Sequence, residues 1–187
     1  MRRRNCTSKG EERRIKMNDK KFELTDECKK IGKIKLFRIK ALIDFGNVKS
    51  GDLGGFIEKE ENLSHDGDAW ISGNAQVYGD AQVYGDAQVG GGAWVSGNTR
   101  IYDNAKVSGE TSISDNAQIY DHAWVYGESW IYGNAQIYGH AQIAGDILVY
   151  GDARVYGDAR VYGDADICGD SKICEDVIVL RKAKKGE

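Results

Sequence analysis

The side chains of this sequence best suited to chemistry are three histidines (His65, His122, His140) and four cysteines (Cys6, Cys28, Cys168, Cys174). A histidine titrates near neutral pH and can act as a general base or a metal ligand. His122 and His140 stand three hexapeptides apart, so on a chain whose coils hold three hexapeptides they stack at one corner. They are the only candidate catalytic residues. The plainer reading is that they fill a corner position held elsewhere by Asn or Asp. No Cys or carboxylate constellation beside them has metal-ligand spacing, and neither a metal nor a cofactor is expected. His65 stands one repeat before Ile71, in frame, and reads as structural. The cysteines show no framework spacing. Cys168 and Cys174 fall on adjacent faces of one coil, too far apart to bridge. Gly91-Gly92 lacks the strand-to-helix context of a phosphate loop. Unpaired cysteines, and no apolar stretch behind Arg2, Arg3 and Arg4, point to a reducing cytoplasm. No apolar run approaches the length of a membrane span.

The element that must position these residues is a repeat of six. Residues 75–80 and 81–86 both read AQVYGD, and 153–158 and 159–164 both read ARVYGD. The aliphatic position recurs nineteen times without a break from Ile71 to Val179, each time Val or Ile. Two residues earlier stands a small residue, usually Ala, with Ile147 and Val177 as exceptions. In a short strand A-x-V, residues i and i+2 point inward and the one between points out. The Gly-Asp, Gly-Asn or Gly-Glu that follows suits a sharp corner. Three strands and three corners, one of each per hexapeptide, close a triangular coil. Stacked coils satisfy each other's backbone groups. Residues 69–180 then make about six coils, and the fold class is all-β, a parallel β-helix.

An aliphatic residue, two corner positions and a small residue resemble the hexapeptide-repeat superfamily of left-handed β-helices. The handedness is implied by that resemblance, not by the period. One departure is that this chain often has Tyr after the aliphatic residue, where the family has a small or polar one. Residues 36–57 (LFRIKALIDFGNVKSGDLGGFI) and 62–71 (NLSHDGDAWI) resemble the cap of YdcK-like proteins and related prophage-encoded proteins. Those are called transferases or polymer-forming proteins by fold analogy. The superfamily includes acyltransferases with a histidine base in a cleft between rods and often an extruded loop, and its enzymes are commonly trimers. In this chain no loop breaks the frame from Ile71 to Val179. The expected domains are a disordered basic arm at 1–18, an N-terminal β cap at 19–68, the β-helix at 69–180 and a basic tail at 181–187. Within the cap, residues 33–43 read as one or two strands, and Gly51, Gly54 and Gly55 as tight turns.

Charge is uneven along the chain. Residues 1–60 carry 17 Lys/Arg against 10 Asp/Glu, whereas residues 61–176 carry 5 against 18. Stacking of successive coils defines outward columns. Tyr84, Tyr102, Tyr120, Tyr138 and Tyr156 fall in one, beside Arg100 and Arg154, and form a candidate binding platform. Trp94, Trp130, Tyr132, Leu148 and Tyr150 share a second face, the candidate oligomer face. Trp70, Lys106, Trp124, Tyr126, Arg160 and Tyr162 lie on the third. Asp146, Asp152, Asp158, Asp164 and Asp170 make a candidate acidic edge, and corner acids beside the tyrosines argue against gripping a phosphate backbone. The function expected is a noncatalytic binding or assembly scaffold, prophage-encoded by resemblance. Its partner is a protein or a second copy, in a dimer or trimer, with nucleic acid and membrane not expected. Two alternatives stand beside it. One is an acyltransferase using acyl-CoA. The other is a phage-encoded inhibitor of a host defence system, whose acidic rod binds protein or imitates nucleic acid.

Overall fold

The structure is a computed structural model that describes residues 20–175. The expectations for residues 1–18 and 181–187, and for Val177 and Val179, lie outside the described residues.

The repeat folds as a β-solenoid. Most hexapeptides contribute a two-residue strand, such as Gln88–Val89 and Lys106–Val107. Strands three hexapeptides apart pair in parallel: Lys106 lies between Gln88 and Trp124, and Val107 between Val89 and Val125. The ladder is continuous. The Gln88 N–H donates to the Ala105 carbonyl at 2.9 Å, and the Lys106 N–H to Ala123 at 2.9 Å. Ala and Val/Ile point inward, and Ala105, Ile113, Ala117, Ile119, Ala123 and Ile131 are all fully buried. Small polar residues replace Ala only where the hydroxyl finds a carbonyl. Thr99 Oγ1 donates to Ser96 at 2.7 Å, Thr111 Oγ1 to Ser108 at 2.8 Å and Ser129 Oγ to Gly145 at 3.1 Å.

Corners need the left-handed backbone region. Gly97 sits there at φ +70°, and an added Cβ would meet the Asp115 nitrogen and carbonyl oxygen of the next coil at 2.8 Å. Asp103, Asp115 and Asp121 take the same conformation at φ 55°, 60° and 58°, which Asp tolerates through local hydrogen bonding. At Gln142–Val149 and Arg160–Ile167 the strand runs on around a corner and joins two faces into one sheet.

The stack makes about seven turns rather than six, because the cap supplies the first. The cap holds three strands: β1 (Phe22–Ile31), β2 (Ile34–Ala41) and β3 (Leu53–Ile57). β1 pairs antiparallel with β2, and β2 with β3. β3 then pairs in parallel with the first rod strand of its face, Phe56 against Gln76 and Ile57 against Val77. Leu63 bridges to Val83. Each of these pairs is separated by two more positions than the rod pair Trp70 and Gln88, so the first turn is two residues longer. Leu63, 1% exposed, therefore fills the core position that the six-residue frame gives to His65. Gly51 is a turn glycine at φ +95°. Gly54 and Gly55 differ from expectation: they lie within β3, where a Cβ would come to 2.6 Å from the Ile71 and Ala75 carbonyl oxygens respectively. They permit close approach rather than a turn.

Candidate interaction surface

The tyrosine column forms. Tyr84, Tyr102, Tyr120 and Tyr138 stack with successive centroids 4.9 Å apart and planes within 4°. Tyr156 continues the stack at 5.2 Å. Each ring is half-buried. The ring faces are turned on one another, so the column presents ring edges and hydroxyls along its length. Base or sugar stacking needs a free face. Burial, then the neighbouring Tyr120 and Tyr84 and the Asp103 and Asp121 carboxylates, push the Tyr102 hydroxyl up to about 12. Arg100 and Arg154 are exposed and share the adjoining column with Gln118 and Gln136.

The tryptophan face is different. Gln76, Trp94, Ser112, Trp130, Leu148 and Asp166 follow one another on successive rungs. Trp94 is 44% and Trp130 57% exposed, and Ser112 leaves a gap between them. Tyr132 and Tyr150 stack at 5.1 Å along the adjoining corner. Around the opposite corner, Trp124 and Tyr126 are also exposed and meet edge-on at 6.4 Å, with the Lys106 ammonium 5.4 Å from the Trp124 ring. Trp70 belongs to that third face in the register but is 7% exposed, because Phe45 of the cap packs edge-on against it at 5.4 Å.

His122 and His140 stack at 4.9 Å, both exposed at one corner. Their backbone N–H groups donate to Gly139 and Gly157, as the corner residue Asn104 donates to Asp121. They occupy the corner register of Asn104 and Asp158. The five aspartates of the candidate acidic edge divide among the three corners. Asp146 and Asp164 pair on one, Asp152 and Asp170 fall on a second, and Asp158 lies beyond His140 on the third. All but Asp164 are exposed.

Sequence reasoning did not find several polar features. An amide ladder runs up one corner: Asn98 Nδ2 donates to Asn116 at 3.0 Å, Asn116 to Asn134 at 3.1 Å and Asn134 to Asp152 at 2.9 Å. The three-hexapeptide spacing of these side chains was the available signal. Asp115 and Asp121 each accept a 3.0 Å bond from the Gly133 and Gly139 N–H of the next coil. At the cap, Lys21 is 1% exposed, and its Nζ donates to the Gly67 and Ala69 carbonyls at 3.1 and 2.8 Å. Burial lowers its pKa to about 8, although Asp68, Asp66 and Asp86 pull it upward. His65 stacks on Phe22 at 4.3 Å, and its Nδ1 accepts the Lys21 N–H at 3.1 Å. Burial also lowers the His65 pKa, with Glu60 opposing. A cleft of about 390 Å³ opens between the Gly46–Val48 loop and the rod, with Asp68, Trp70, Asp86 and Lys106 on its walls. Cys28, Cys168 and Cys174 are free and exposed. Among the described residues no group of His, Cys, Asp or Glu is arranged to hold a metal, and no helix is long and apolar enough to cross a membrane.

Period, pairing and corners together define a parallel β-solenoid repeat protein. The profile of the YdcK beta solenoid repeat matches residues 75–91, 117–133, 148–163 and 153–169. The chain therefore carries repeats similar to the YdcK beta solenoid repeat, and its stacked parallel coils fit a repeat β-helix of that kind. No curated protein matches it.

Proposed function

We propose that this chain is a noncatalytic assembly scaffold that binds a protein through its Trp94–Trp130 face. The carrying observation is the exposure of Trp94 and Trp130, 44% and 57%, on a flat sheet face whose core contacts are made by Val95 and Ile131 beneath them. The two indoles add nothing to the rod interior, and leaving such rings in water is unfavourable. Tryptophan at the centre of a patch is the residue type that most often anchors an interface. The tyrosine column stands beside this reading as support for the rod, since its ring faces are occupied by one another.

The test is a pair of variants. Trp94→Ser with Trp130→Ser should abolish association, measured as mass in solution or partner capture, while the thermal midpoint stays within a few degrees. Tyr102→Ser, Tyr120→Ser and Tyr138→Ser together should lower the midpoint and leave association of the folded protein intact. The reverse pattern would move the binding surface to the tyrosine column and refute the assignment.

A further inference from the structure

We infer that the partner on the tryptophan face is a second copy of this chain, docked antiparallel about a two-fold axis between the Ser112 and Trp130 rungs. The inference rests on the reading of this face as the binding surface. Its first support is the order of sizes along the column, Trp94–Ser112–Trp130–Leu148. A two-fold interface sets the same patch against itself. With the rods parallel, Trp130 would meet Trp130 and Ser112 would meet Ser112, holding the sheets apart at one rung and leaving a void at the next. With the rods antiparallel about the stated axis, each Trp130 enters the other copy's Ser112 gap. Leu148 then packs on the other copy's Trp94, and the large and small residues interdigitate as close packing requires.

The second support is charge. Among the described residues, 20–60 carry ten Lys/Arg and seven Asp/Glu, and 61–175 carry five and seventeen. Both arrangements set rod on rod, but parallel docking also sets basic cap on basic cap. Antiparallel docking brings the basic cap of one copy toward the last described coil of the other, where Asp164, Asp166 and Asp170 stand. The cap is placed for this. The β1–β2 hairpin reaches back onto the same face, where Lys29 Nζ donates to Asn74 at 3.3 Å and lies 4.0 Å from the Phe56 ring. Lys29 thus reaches the corner before the Gln76 rung, and the exposed Lys30, Lys33 and Lys35 follow it in the same hairpin. The two-fold sets the Gln76 rung against the other copy's Asp166 rung, with Asp164 and Asp170 close by. Pairs of this kind steer register and orientation more than they add affinity.

The experiment uses the full chain. Sedimentation equilibrium on wild type should give a dimer. Ser112→Trp fills the gap with a residue the neighbouring rungs already carry, and should weaken the dimer by about tenfold or more. Adding Trp130→Ser in the same chain re-creates large against small and should restore it. Carbodiimide cross-linking of a mixture of ¹⁵N-labelled and unlabelled protein should join Lys30, Lys33 or Lys35 of one copy to Asp164, Asp166 or Asp170 of the other. A dimer that tolerates Ser112→Trp, or cross-links with no such cap-to-last-coil pairs, overturns the antiparallel arrangement but not the binding face. Association unaffected by Trp94→Ser with Trp130→Ser overturns both.

Discussion

At the scale of single residues, two buried or half-buried groups carry measurable consequences. Tyr102 is raised from 10.0 to about 12 in the fold. The unfolded chain therefore loses that proton first as pH climbs. The stability contributed by the neutral hydroxyl is fully present below about pH 10 and is lost as pH rises toward 12. Denaturation midpoints should fall across that window, and Tyr102→Phe should flatten the fall. Lys21 has the opposite sign. Its pKa is lowered from 10.5 to about 8, so the unfolded chain holds a proton that the folded chain has released. Its contribution makes stability rise with pH between those values. Lys21→Met removes both donors to the Gly67 and Ala69 carbonyls. It should cost about 2 kcal/mol, read by chemical denaturation, and should abolish that rise. Neither group stands out in the sequence. Lys21 is one lysine in a basic stretch, and its partners lie 46 and 48 residues away.

At the scale of the element, the hexapeptide is the unit of stability. Ile119 is fully buried between Ile101 and Ile137, so Ile119→Ala should cost about 3 kcal/mol by cavity formation. Gly97→Ala combines a positive φ with a backbone contact at 2.8 Å. It should cost at least about 2 kcal/mol, while Gly32→Ala at a hairpin turn, with nothing within 4 Å, should cost less. Thermal melts of the variants compare them directly. The rod strands were legible because the inward pair A-x-V and the corner pair repeat without a gap. The columns followed from the period alone, which is why the tyrosine stack and the His122–His140 pair stand where the spacing puts them. The cap was less legible. β1 carries the mixed string FELTDECKKI with no alternation, because only Phe22 at its start is buried, stacked on His65, and the rest of the strand is exposed or half-buried. The two additional residues of the first turn had no marker, since Leu63 precedes a polar stretch, 64–68, that holds no aliphatic residue.

At the scale of the molecule, a rod with an N-terminal cap presents faces, and function depends on which face meets another molecule. The interior does not discriminate among them, because Ala and Val/Ile fill all three sides alike. The outer columns do. One is consumed in a tyrosine stack and another corner carries an amide ladder, one sheet face leaves Trp94 and Trp130 uncovered, and on a second face Trp124 is exposed but meets Tyr126 and the Lys106 ammonium. That division was only partly legible in the sequence. Spacing gave the columns, but whether a ring face is occupied or free depends on tilt and on the cap. Trp70 shows this: it shares a spacing class with Trp124 yet is buried by Phe45. In the proposed reading, the chain assembles through the tryptophan face. Its most direct test is the solution mass of the wild-type chain at micromolar concentration beside that of Trp94→Ser with Trp130→Ser. A wild-type mass of twice 20.7 kDa, falling to the single-chain mass in a variant with an unchanged melt, is the result predicted. Equal masses for the two proteins, with no partner lost, would contradict it.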